Sequence, residues 1–100
     1  MPNIKEAAKV ELDLANPPMY KVILHNDDYT PMDFVIDILV KIFHKNIDEA
    51  NDIMWRVHEK GRAVCGIYVL EIARTKVYQV KNVAKANGFP LLATMELDKG

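Results

Sequence analysis

Tyr20-Lys21-Val22-Ile23-Leu24-His25 is followed by Asn26-Asp27-Asp28-Tyr29-Thr30-Pro31 and then by Met32-Asp33-Phe34-Val35-Ile36-Asp37-Ile38-Leu39, and the change of period across this stretch decides the fold. Before Asn26 the side chains alternate. Tyr20, Val22 and Leu24 fall on one face and Lys21, Ile23 and His25 on the other, which predicts a strand over 19–26. After Thr30 the period becomes helical. Val35, Leu39, Ile42 and Phe43 line an inner face, widened by Phe34, Ile36 and Ile38, while Asp33, Asp37, Lys41 and Lys45 recur every four residues as a solvated stripe. Thr30 suits the N-cap, Pro31 the first helical position, and Asp33 the positive end of the helix dipole. Three short acceptor-rich side chains thus sit between two apolar elements.

Downstream, Ala50, Ile53, Met54 and Val57 mark a second helix that starts near Asn46 or Asp48 and ends at Gly61, a residue able to take the left-handed C-terminal cap. Ala63 to Leu70 reads as an apolar strand. Ala73, Val77, Val80 and Ala84 share one face of a third helix over 73–87, stopped by Gly88 and Pro90. Leu91, Ala93, Met95 and Leu97 then alternate with Leu92, Thr94 and Glu96 as a half-buried strand. Upstream, residues 1–18 read as a flexible tail. A short helix at 6–14 is marginal by itself, and Asn16-Pro17-Pro18 ends it. The order is β-α-α-β-α-β, an α+β core over residues 19–100, with strand order and direction left open by the pattern.

Composition narrows the function classes. One hundred residues make a single domain, and 50% hydrophobic content suffices for a core. Thirteen basic against 14 acidic side chains leave a net charge of −1, with no basic tract for nucleic acid. The longest apolar run, 34–43, is broken by Asp37 and Lys41 and is too short for a bilayer. No basic start followed by an apolar stretch suggests secretion. The single cysteine, Cys65, cannot form an internal disulfide, which fits a cytoplasmic protein.

Catalysis and cofactors find little support. Cys65 lies in an apolar strand, where a thiol behaves as a small hydrophobe. A Cys65–His58 hydrolase would need an activated thiolate. His25, His44, His58 and Cys65 lack zinc-ligand spacing, and the glycines are isolated rather than gathered in a phosphate loop. The expectation is a non-enzyme with no metal or cofactor.

The acidic block admits two readings. Asn and Asp favour turns for local reasons, so 26–28 is a loop. Alternatively it is the polar half of a binding site, completed by His58, which shares a helical face with Met54 and Val57. Met32 and Met54 then belong either to the core or to an adaptable pocket wall. A generic interaction module without a pocket remains the alternative.

Pro17 to Leu24, Asn26-Asp27-Asp28-Tyr29-Thr30-Pro31-Met32, Val57-His58 with Gly61, Cys65-Gly66, Glu71, Thr75-Lys76 and Pro90-Leu91-Leu92 together closely resemble the ClpS family, adaptors of the bacterial Clp protease, from Pro17 to about Glu96. The resemblance implies a three-stranded antiparallel sheet packed by three helices. It implies binding of proteins with an N-terminal Leu, Phe, Tyr or Trp and their delivery to the N-terminal domain of the ClpA unfoldase for degradation by ClpP. By position, Asn26, Asp27 and His58 would bind the α-amino group. Leu24, Asp28, Thr30, Met32, Val35, Met54, Val57 and Leu91 would line the side-chain pocket, with Met32 at its gate. Glu71 and Lys76 would dock on the unfoldase, which would also engage the segment before Pro17. Two positions depart from the family pattern: His25, where an apolar residue is common, and Arg74, where an acid is common.

Overall fold

The alternating stretch becomes the central strand of a small sheet. In the computed structural model, which describes residues 16–100, β1 runs Met19–His25, flanked on one side by β2, Arg62–Val69, and on the other by β3, Leu92–Leu97. The expected tail and its short helix lie, apart from residues 16–18, outside the described residues. Both pairings are antiparallel, with His25 opposite Arg62 and Leu92, and Tyr20 opposite Tyr68 and Leu97. Three helices complete the order expected from the sequence: α1 (Met32–Lys41), α2 (Ile47–Lys60) and α3 (Leu70–Ala86).

The helices gather on one face of the sheet. Val22, Leu24, Ala63, Cys65 and Ala93 from the strands pack with Val35, Ile38 and Leu39 of α1, Ala50, Ile53, Met54 and Val57 of α2, and Ala73, Val80 and Ala84 of α3. The opposite face leaves Val64, Ile67 and Leu92 exposed. Ile23 also lies on that face yet is only 2% exposed. The Arg62–Glu96 ion pair (3.7 Å) accounts for part of this. Arg62 stands opposite His25 and Glu96 opposite Lys21, so their side chains meet across β1 above Ile23.

Three local features differ from the sequence expectation. Val22 pairs with Gly66 but Ile23 pairs with Val64, which makes Cys65 the extra residue of a bulge in β2. Period-2 reasoning assumes uninterrupted pairing and could not see it. At the bulge, a Cβ on Gly66 would run into the Tyr68 ring, so the missing side chain is what lets that ring lie there. The third helix begins at Leu70 directly after β2, three residues earlier than its apolar face suggested; its first turn is exposed at Glu71 and Ile72 and carries no core signal. Thr30 does not cap α1. Pro31 holds the cap position without a side-chain hydrogen bond, because the Thr30 hydroxyl donates to Asp27 instead.

The caps of α2 follow the sequence. Asn46 accepts from the Glu49 amide at 2.8 Å, and Gly61 takes φ +88° with its amide bonded to Val57 O. That left-handed residue turns the chain from α2 into β2 and so brings the end of α2 beside the loop that follows β1.

Candidate functional site

The loop between β1 and α1 is built around Asp27. Its Oδ1 accepts from the backbone amides of Tyr29 (2.8 Å) and Thr30 (2.7 Å), and its Oδ2 accepts from the Thr30 hydroxyl (2.7 Å). Asp commonly captures local amides in this way. Burial pushes the Asp27 carboxyl up, but the hydrogen bonds from the Thr30 amide, the Thr30 hydroxyl and the Tyr29 amide outweigh it and hold the group below the usual 3.8. The loop is also tied to the neighbouring helix: the Asn26 amide donates to Gly61 O at 2.8 Å. His58, in the last turn of α2, is thereby set close to the acidic block.

Between loop and helices lies a hollow of about 280 Å³ lined by Asn26, Asp27, Asp28, Thr30, Met32, Val35, Met54, Val57 and His58. This is just under the roughly 300–1,000 Å³ usual for small-molecule sites, a size suited to one side chain rather than an extended ligand. One end is polar. Among the described residues the side chains of Asn26, Asp28 and His58 make no hydrogen bond or ion pair, and no Lys or Arg lines the hollow. A carboxylate offers about four lone-pair positions; Asp27 uses three, leaving one on Oδ2. The other end is apolar. Val35, Met54 and Val57 are buried, while Met32 at the rim is 40% exposed. Such a place can hold a cation with several donors beside an apolar group.

The sequence expectations are not all gathered here. Asn26, Asp27, Asp28, Thr30, Met32, Val35, Met54, Val57 and His58 surround the hollow, but Leu24 and Leu91 do not. Leu24 is fully buried in the core, sealed beneath neighbours that a face-and-period reading cannot place. Leu91 borders a different surface depression beside Gly88 and Pro90. Sequence reasoning passed over Trp55, whose ring meets the His58 imidazole edge-to-face at 5.8 Å. The i, i+3 spacing of the two residues on α2 was the available signal.

The two residues implied in docking differ in setting. Glu71 is exposed and bonds Arg74 at 3.1 Å. Lys76 is half-buried, donates to Ile42 O at 2.6 Å and lies 5.8 Å from the centre of the Tyr68 ring. Cys65 does not join His58. It is 1% exposed, borders a separate groove with Lys45 and Arg56, and its thiol is pushed up to about 12 by burial. A thiolate nucleophile has no support there. No helix of the described residues is long and apolar enough to cross a membrane.

Comparison with known proteins agrees with this architecture. The family model described as "ATP-dependent Clp protease adaptor protein ClpS" matches residues 15–94. A ClpS adapter protein from Desulforapulum autotrophicum is 48% identical over 97 residues, spanning 95% of this chain and 93% of the relative. One from Wolinella succinogenes is 54% identical over 88 residues, 88% and 86% of the two chains. Among solved structures, Agrobacterium tumefaciens ClpS2 bound to L-phenylalaninamide superposes with a TM-score of 0.80 at 38% identity, covering 83% of this chain and 100% of that one. The antiparallel three-stranded sheet with its three helices, the extent of the family match and these identities lead to one assignment: the chain belongs to the ClpS family of Clp protease adaptor proteins.

Proposed function

We propose that this chain captures proteins whose first residue is Leu, Phe, Tyr or Trp and hands them, in the cytoplasm, to the N-terminal domain of the ClpA unfoldase for degradation by ClpP. The observation that carries the reading is the hollow itself, in which unspent acceptors of Asn26, Asp27 and His58 stand beside an apolar wall of Met32, Val35, Met54 and Val57. A protonated α-amino group has three donors and no acceptor. Its pKa of about 7.7–8.0 keeps it mostly charged near neutrality. Each charge-assisted hydrogen bond contributes about 1.5–3 kcal/mol, and burying a large apolar side chain adds roughly as much again. An internal peptide unit offers a single neutral donor, so the site distinguishes a chain start from a chain middle. The ligand of the Agrobacterium relative, L-phenylalaninamide, joins a free amine to a benzyl group, the same pair of features.

Met32 and Met54 are unbranched and let one wall accommodate both Leu and aromatic rings. A β-branched first residue places bulk beside the backbone, so Ile- and Val-led peptides should bind less well than Leu-led ones. The test is titration with a Leu-led peptide and its N-acetylated twin. Acetylation removes the charge and two donors, and affinity should fall by about tenfold or more. Equal binding of the twins would sink the reading.

A further inference from the structure

Exposure alone would leave the His58 imidazole free to turn. It lines the hollow, lies on the exposed side of α2, and among the described residues has no hydrogen-bond partner. It meets the Trp55 ring, three residues earlier on the same helix, at a centroid distance of 5.8 Å and an interplanar angle of 76°. This is the edge-to-face arrangement that aromatic pairs prefer, within their usual 4.5–7 Å range. Trp55 is itself 49% exposed, is absent from the lining of the hollow, and belongs to no part of the core cluster. A half-exposed tryptophan whose ring meets a residue lining the hollow has a use besides covering the core.

We infer that Trp55 is a positioning residue for amine capture: its ring fixes the His58 imidazole at the rim of the hollow so that a ring nitrogen faces an incoming α-amino group. The inference rests on the proposed function. An acceptor held in place before binding loses less freedom when the ligand arrives, and preorganisation of this kind strengthens binding without any new contact. Met54 and Val57, buried on the inner side of the same helix, anchor the backbone that carries both rings.

The test is a double-mutant cycle read with a labelled Leu-led peptide. Trp55→Ala should weaken binding about fivefold, the scale of one aromatic pair, and Trp55→Phe should restore it to within about twofold. On a His58→Ala background the Trp55→Ala penalty should vanish, because the two residues act through one acceptor. The chain has a single tryptophan, so the unaltered protein supplies an arm that needs no variant. Its emission should change on adding an unlabelled Leu-led peptide and stay constant with the N-acetylated twin. Full affinity in Trp55→Ala, an equal penalty with and without His58, or unchanged emission on binding overturns the inference alone. Failure of the unaltered protein to bind the Leu-led peptide overturns the proposed function and the inference with it.

Discussion

Both oxygens of Asp27 are engaged before any ligand arrives, by the Tyr29 and Thr30 amides and the Thr30 hydroxyl. The carboxylate therefore shapes the loop and supplies charge to the hollow together. Asp27→Asn keeps the size, removes the charge and replaces one acceptor with a donor that cannot accept from Thr30. Affinity for a Leu-led peptide should fall at least about tenfold, the loss of one charge-assisted hydrogen bond, and the urea midpoint should drop. The pH dependence has a definite sign. The folded-state value of Asp27 lies below the usual 3.8, so its stabilising share is complete above that value and is lost as pH falls through the lowered one. The difference in urea midpoint between the unaltered protein and Asp27→Asn should hold near neutral pH and close in strong acid. A gap that persists there would count against the ionised carboxylate as its cause. Residue identity made this acid conspicuous in the sequence. Its partners were not legible, because Thr30 reads as a helix cap and only three-dimensional geometry shows its hydroxyl turned back to Asp27.

At the scale of elements, the end of α2 decides whether the two halves of the hollow meet. Gly61 at φ +88° closes the helix while its carbonyl receives the Asn26 amide. Nothing lies within 4 Å of a Cβ added there, so Gly61→Ala isolates the backbone cost of a left-handed alanine, about 1–2 kcal/mol. It should lower stability by that amount in urea titration and weaken peptide binding too, since relaxing φ draws Gly61 O away from Asn26. Loss of stability with unchanged affinity would show that the Asn26–Gly61 bond does not set the hollow. This cap was legible because an isolated Gly after an apolar helical face has few other uses. The bulge at Cys65 and the early start of α3 were not. A bulge is a property of two strands paired together, and the first turn of α3 has too little buried surface to leave a periodic trace.

At the scale of the whole molecule, the proposed function divides capture and delivery between different elements. The hollow draws on the β1–α1 loop, α1 and α2, and no residue of α3 lines it. Glu71 lies in the first turn of α3, exposed and bonded to Arg74. An exposed pair of this kind adds only about 0–1 kcal/mol to stability, so Glu71 can be changed at little cost to the fold. Lys76 is a poorer probe. Its ammonium holds Ile42 O, the carbonyl of the residue that caps α1 at its C-terminus, and its replacement would mix folding with docking. The expected outcome is a crossed pattern. Glu71→Lys should keep peptide affinity within about twofold, because no charge at the hollow changes, yet lose most degradation of a Leu-led substrate by ClpA with ClpP. Asp27→Ala should lose peptide binding while still competing with the unaltered chain for the unfoldase. Arg74 makes the first half more demanding here, since it already neutralises Glu71 on one side; Arg74→Ala should therefore strengthen docking rather than weaken it. Parallel loss of binding and degradation in Glu71→Lys would mean that the two surfaces are not independent. The division of labour among the elements would then have to be abandoned, even with the adaptor fold intact.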